Sequence, residues 1–278
     1  TQNVAHAKED VAPTLSSLAL EEEAWSQSGW FSIIWGDDFK GASQEIYTLT
    51  DDSGQTIMLF LGETLAQSVG GVLAFDRKYV SIEGLMAAPS SDESTPPTIN
   101  VTSITLASSP ESGAGSLNGD VLPAVTGSNP WVSIMCKFSD FSVEPKNLAY
   151  FQGMYSSSYP GLDHYWREVS YNTANVSGSG ASGWFVLPHT EAYYNPTDTT
   201  GGTKLSLLAT DCIGVADSSV NFSLYAGINM MFNTNFDNGY AWGGGRYMTL
   251  DGVTKVWSTT WEPPWGYADI TVMSHEMG

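Results

Sequence analysis

The chain has 278 residues, with 30 Asp and Glu against 10 Lys and Arg, a formal charge of −20. Phosphate backbones and anionic membrane surfaces attract cationic proteins, so this balance argues against nucleic-acid and membrane-surface partners. Charged residues are only 14% and apolar residues 42%. A sizeable core is therefore available, and a polar surface built from Ser, Thr, Asn, Gln and Gly favours strands and loops over solvated helices.

Residues 1–27 carry Leu15, Leu18, Leu20 and the acidic run Glu21-Glu22-Glu23, read as a leader that is either a short helix or an extended arm. Residues 28–108 form a small β-domain. Its strands are expected at Trp30–Gly36, Gln44–Leu49, Gln55–Leu61, Tyr79–Gly84 and Thr98–Leu106, with turns at Gly36-Asp37-Asp38 and Asp51-Asp52-Ser53-Gly54. A polar connection through Gly70-Gly71 joins the third strand to the fourth. Five short strands in about eighty residues predict a small barrel of the OB type. Residues 109–129 have the composition of a linker.

The texture changes at Pro130. Trp131–Phe138 is apolar without alternation, as in a strand covered on both faces. Helical spacing follows over Pro145–Tyr155 and Gly161–Tyr171, a strand over Trp184–Pro188 and a helix over Leu205–Val215. A central strand is expected within Ser223–Phe232, strand material over 239–261 and a single helix over Tyr267–Gly278. Elements of both kinds alternate, so the whole is α+β: a small barrel followed by an α/β region over 130–278.

The sharpest chemical feature is Ser274-His275-Glu276-Met277-Gly278. On a helix, His-Glu-x-x-His places two imidazoles one turn apart on one metal, with the Glu beside the metal's water. Here the first two residues of that pattern are present. Trp131 into Lys137-Phe138-Ser139-Asp140, Asp163-His164-Tyr165-Trp166-Arg167-Glu168-Val169-Ser170-Tyr171 and Ser274–Gly278 together resemble the front half of secreted zinc metalloproteases of the immune-inhibitor-A-like and gametolysin-like families. The resemblance covers roughly half the chain. It implies a zincin-like domain over 130–278, His275 as the first zinc ligand and Glu276 as general base. It also implies a second His after Gly278 and a third ligand further on. The expectation is thus the N-terminal part of a longer secreted endopeptidase acting on protein or peptide substrates, inactive as these 278 residues alone. The barrel would be an accessory domain or a pro-domain.

Other candidates are a calcium loop at Asn233, Asn235 and Asp237, whose closing Glu is missing, and glycosylation acceptors at Asn100, Asn175 and Asn221. Cys136 and Cys212 could form one bridge or remain two buried thiols. No window approaches eighteen uninterrupted apolar residues, so no membrane-spanning helix is expected. The first residue, Thr1, reads as a processed end and points outside the cell. Zinc is expected in the full-length protein, with calcium as a second candidate, and neither is expected to be firmly held by these 278 residues alone. The competing expectation is an extracellular surface or filament subunit on a protease-like fold. It would self-associate through the N-terminal arm or through a last helix that exposes Met273 and Met277.

Overall fold

The computed structural model describes residues 23–86, 98–110, 125–195, 204–236 and 239–278. The expected arm before residue 23 lies outside them, as does most of the linker. The fold is mixed α/β and strand-rich, built on one ten-stranded sheet that is ringed at one end.

The first strand, β1 (Glu23–Asp38), is much longer than the seven residues expected. Its first part pairs antiparallel with β4 (Tyr79–Met86), from Glu23 opposite Met86 to Trp30 opposite Tyr79. Residues 23–27 therefore belong to the sheet and not to a leader. Its second part pairs with β2 (Ser43–Thr50). The turn between them is fixed by Asp38, whose Oδ1 accepts from the backbone N–H groups of Lys40 and Ala42, each at 2.8 Å. Asp51 does the same for the next turn, accepting from Ser53 and Gln55 before β3 (Thr56–Phe60). Such Asx turns are the mechanism behind the turn composition read in the sequence. A helix, α1 (Glu63–Ser68), and a 3₁₀ turn (Val72–Phe75) occupy what was expected to be a plain polar connection. Val72 and Phe75 are buried there, and this apolar pair drives the segment onto the ring. β5 (Thr98–Leu106) pairs antiparallel with β4 and parallel with β3. The pairings thus run β1–β2–β3–β5–β4 and return to β1. Phe31, Ile33, Leu49, Val80, Ile82 and Ile99 fill the interior.

The linker ends earlier than its composition implies. β6 (Gly127–Ser128) pairs with β8 (Ala174–Asn175). Between these lie β7 (Trp131–Lys137), α2 (Leu148–Gly153) and α3 (Leu162–Val169). After β8 come β9 (Gly180–Val186), α4 (Glu191–Tyr194), α5 (Leu205–Ala216) and β10 (Gly227–Phe232). A hairpin of β11 (Tyr240–Leu250) and β12 (Val253–Glu262) follows, then α6 (Pro264–Ala268) and α7 (Ile270–Met277). The terminal helix is two helices because Asp269 is extended and caps the second, accepting from the Thr271 N–H at 2.8 Å.

Strands β9, β7, β10 and β12 are mutually parallel, and β11 is antiparallel to β12. Side chains alternate across this sheet. Val132, Ile134, Cys136, Ile228, Met230 and Trp261 face α5, whereas Trp131, Met135 and Met231 face α2, α3, α6 and α7. Both faces are covered, which is why β7 and β10 read as unbroken apolar runs. Met273 and Met277 are buried in the second cluster, which corrects the expectation that they form an exposed surface: they share one side of α7 and that side lies on the sheet. Cys136 and Cys212 are disulfide-bonded, tying β7 to α5 across a sequence separation of 76.

The ring and the mainly parallel part are not separate bodies on a tether. The last five residues of β1 pair antiparallel with β11, from Ile34 opposite Gly244 to Asp38 opposite Tyr240. Two close approaches permit this. A Cβ at Gly36 would overlap the Trp242 ring, and one at Gly244 would lie 2.7 Å from the Ile33 carbonyl oxygen. Arg77 adds a side-chain tie, donating from Nη1 to Ser258 Oγ at 2.8 Å.

Candidate metal-binding site at the end of the last helix

α7 lies on β11 where Gly243 has no side chain: a Cβ there would run into the backbone of Glu276. The glycine run Gly243-Gly244-Gly245 therefore serves backbone packing, with α7 on one side and β1 along the edge. Against this support the helix presents His275 and Glu276 to a groove of about 1340 Å3, which Trp35, Asp37, Trp131, Trp166 and Gly243 help to line.

His275 is well exposed and its Nε2 lies 2.9 Å from Asp37 Oδ2. Asp37 also accepts a hydrogen bond from Ser43 Oγ on the neighbouring strand. On β1 the alternation places Trp35 and Asp37 on the α7 side, while Ile34 joins the cluster facing α5. Glu276 is 93% buried, from a relative exposure of 7%. Its Oε1 has no hydrogen-bond partner among the described residues. Burial pushes its carboxyl up to about 8, and the charge of Asp37 adds to the shift. Among the described residues, Asp37, His275 and Glu276 form a group whose ligand atoms all lie within 4.8 Å of one another. An imidazole nitrogen, a carboxylate beside it and a buried oxygen without a partner fit a divalent ion of the zinc kind.

A row of polar residues runs across the sheet beneath α7. Ser133, Asn229 and Thr260 are in register on β7, β10 and β12. Asn229 accepts from Thr260 Oγ1 at 3.0 Å and donates to the Tyr155 hydroxyl at 2.9 Å, which lies 2.7 Å from Ser133 Oγ. Two residues beyond Thr260 on the same face is Glu262, fully buried, with no geometric hydrogen-bond partner for either carboxylate oxygen among the described residues. Burial holds its carboxyl well above the usual range; Glu276 raises it further and Thr260 opposes.

The remaining candidates fall elsewhere. Asn233 is buried and structural: its Oδ1 accepts from the Phe138 N–H at 3.2 Å, and its Nδ2 donates to the carbonyls of Phe141 and Val143 at 2.6 and 3.0 Å. Asn235 is exposed, and Asp237 lies outside the described residues. Asn233→Ala is expected to cost about 1–2 kcal/mol by stranding these backbone groups, read as a lower urea midpoint; an unchanged midpoint would contradict this role. The stretch Asp163–Tyr171 is also held structurally. Asp163 is buried and accepts from Arg167 Nε at 2.8 Å and the Val176 N–H at 2.9 Å, pinning α3 to the segment after β8. Of the sequon residues, Asn221 is exposed, whereas Asn100 and Asn175 are half-buried in strands.

Sequence reasoning missed Asp37 and Glu262. In the sequence Asp37 reads as part of a turn, and it lies 238 residues from His275, so no local pattern joins them. Glu262 did leave a signal, a lone acid between Trp261 and Pro263-Pro264 in an apolar stretch.

Comparison with protein-family models and with curated proteins finds no match to this chain. No helix among the described residues is long and apolar enough to cross a membrane.

Proposed function

We propose that the chain is the N-terminal part of a secreted zinc-dependent endopeptidase, with an OB-type barrel set ahead of a zincin-like catalytic region. The observation that carries this is the placement of His275 and Glu276 together on a helix that backs β11, the antiparallel strand at the margin of the mainly parallel part of the sheet. A disulfide between buried cysteines is compatible with an extracellular location.

In this reading His275 offers Nε2 as a metal ligand. Zinc, when bound, supplies Lewis-acid polarisation of a carbonyl and activation of water. The carboxylate of Glu276 is the proton acceptor. Its raised affinity for protons keeps it close to the range in which a general base works near neutral pH. The apolar walls given by Trp35, Trp131 and Trp166 restrict water around it.

Metal analysis of the longest natural form of the protein tests the proposal. Roughly one zinc per chain is expected, with strong depletion in His275→Ala. In Glu276→Gln the metal should be retained while proteolysis is lost. A wild-type protein that carries no zinc sinks the enzyme reading.

A further inference from the structure

The groove that reaches His275 and Glu276 also carries two cations, Arg77 and Lys78. Both follow the 3₁₀ turn Val72–Phe75 and are clamped to β1 by backbone. The Arg77 N–H donates to the Phe31 carbonyl and the Phe31 N–H to the Lys78 carbonyl, each at 2.9 Å. Arg77 has a φ of 58°. That region is unfavourable for any residue with a Cβ, and glycine would relieve it. An arginine held there points to a use for its side chain. The side chain runs to β12, where Nη1 donates to Ser258 Oγ at 2.8 Å. Gly245 leaves room for it, since a Cβ there would lie 3.3 Å from Arg77 Cγ. Asp76 answers only part of this charge. Its Oδ2 is 3.7 Å from Arg77 Nε, and its Oδ1 accepts from the Ile33 N–H. Lys78 is half-buried and makes no ion pair among the described residues.

Distance sets what these cations would read. A Cβ at Gly243 would meet the backbone of Glu276. One at Gly245, two residues along β11 and on the same face, would meet Arg77. At about 3.4 Å per residue these positions are about 7 Å apart, the span of two residues of an extended peptide. Leu73, Trp35 and Val169 are exposed on the groove walls and offer apolar surface. The volume of about 1340 Å3 exceeds that of most small-molecule sites. A chain of net charge −20 repels a polyanion, but two adjacent cations can still pair one carboxylate. We propose that Arg77 and Lys78 are specificity-determining residues. They select a peptide segment with an acidic side chain two residues from the bond presented to Glu276, flanked by bulky apolar side chains. The carboxylate pairs with Lys78 Nζ and with the remaining N–H groups of Arg77, of whose five donors Ser258 takes one. Asp37, beside His275, repels the same carboxylate and so fixes the direction of the peptide. This rests on the peptidase reading of the groove.

The test is peptide binding to the full chain in the presence of EDTA, read by fluorescence anisotropy, so that neither zinc nor turnover enters. The probes are a fluorescein-labelled peptide with Glu between two Leu residues, the same peptide with Gln in place of Glu, and the same with Lys. The wild-type chain should bind the Glu probe about tenfold more tightly than the Gln probe, and the Lys probe more weakly still. The preference should shrink as sodium chloride is raised. Lys78→Gln and Arg77→Gln should each remove most of it and leave affinity for the Gln probe nearly unchanged. Arg77→Gln also breaks the tie to Ser258, so Lys78→Gln, at a side chain without an ion-pair partner, keeps the test independent of folding. Lys40→Gln, exposed in the turn between β1 and β2, changes the net charge equally and should retain the preference. Equal affinity for the Glu and Gln probes, or no binding of any probe, would overturn the assignment. So would a preference that survives both groove substitutions or is lost equally in Lys40→Gln. None of these outcomes touches the zinc reading, which stands or falls on the metal content of the longest natural form.

Discussion

Gly243→Val is expected to destabilise the protein by more than about 4 kcal/mol, a loss that urea or thermal unfolding would show directly. A Cβ at this position would collide with the Glu276 carbonyl and its Cα. The obstacle is helix backbone, so no rotamer change relieves it. Overpacking against a core that can adjust costs about 1–3 kcal/mol, and here the adjustment available is to lift α7 from β11. Lifting α7 also exposes Met273 and Met277, which are buried beneath it, and carries His275 away from Asp37. Under the proposed zinc reading, metal affinity should fall along with stability. Gly153→Ala is the control: the glycine is in α2, a Cβ there meets nothing within 4 Å, and a small gain of at most about 1 kcal/mol is expected. A Gly243→Val protein within 1 kcal/mol of wild type would show that α7 is not seated on β11 as described.

Glu262→Gln is expected to stabilise the protein at neutral pH, with the gain growing as pH rises. Burial keeps the folded carboxyl protonated well above its ordinary value of 4.5, and Glu276 reinforces this. In the unfolded chain it ionises normally. The unfolded state therefore binds fewer protons above pH 4.5, and wild-type stability falls as pH rises from there towards the folded value. Within that window the loss grows by about 1.4 kcal/mol per pH unit. Gln avoids that cost, but brings an additional buried N–H whose burial offsets about 1 kcal/mol. The expected difference is thus slightly unfavourable at pH 4 and turns in favour of Gln as pH rises above the ordinary carboxyl value. Denaturation curves across pH 4–8 test this, and a difference that stays flat over that range would mean Glu262 is ionised or hydrated in the fold.

Most strands were legible because their cause is local. Trp131–Lys137 and Gly227–Phe232 are covered on both faces by the folded chain, and that leaves an unbroken apolar run in each. The turns at Asp38 and Asp51 announce themselves because each side chain caps its own loop. What was misread depends on distant partners. Residues 23–27 have no strand signature of their own and become strand only by pairing with β4. The Val72–Phe75 turn is a short apolar run behind Gly70-Gly71 with no strand or helix period, and only the folded chain brings Val72 and Phe75 into the ring interior. The terminal helix reads as continuous because its apolar spacing runs across Asp269, although that residue's extended backbone ends one helix and its side chain caps the next.

The sequence by itself determined a strand-rich mixed fold, the ring-forming strands, the doubly covered sheet and a helix carrying His275-Glu276. Each of these follows from periodicity or turn chemistry within a dozen residues. Only the tertiary structure decided that Cys136 meets Cys212, that Gly243 is a seat for α7, and that β1 crosses from the ring to the edge of β11. The last of these brings Asp37 to His275. Such a contact depends on strand register and on the absence of side chains at Gly36 and Gly244, and register is a property of the assembled sheet rather than of any one segment.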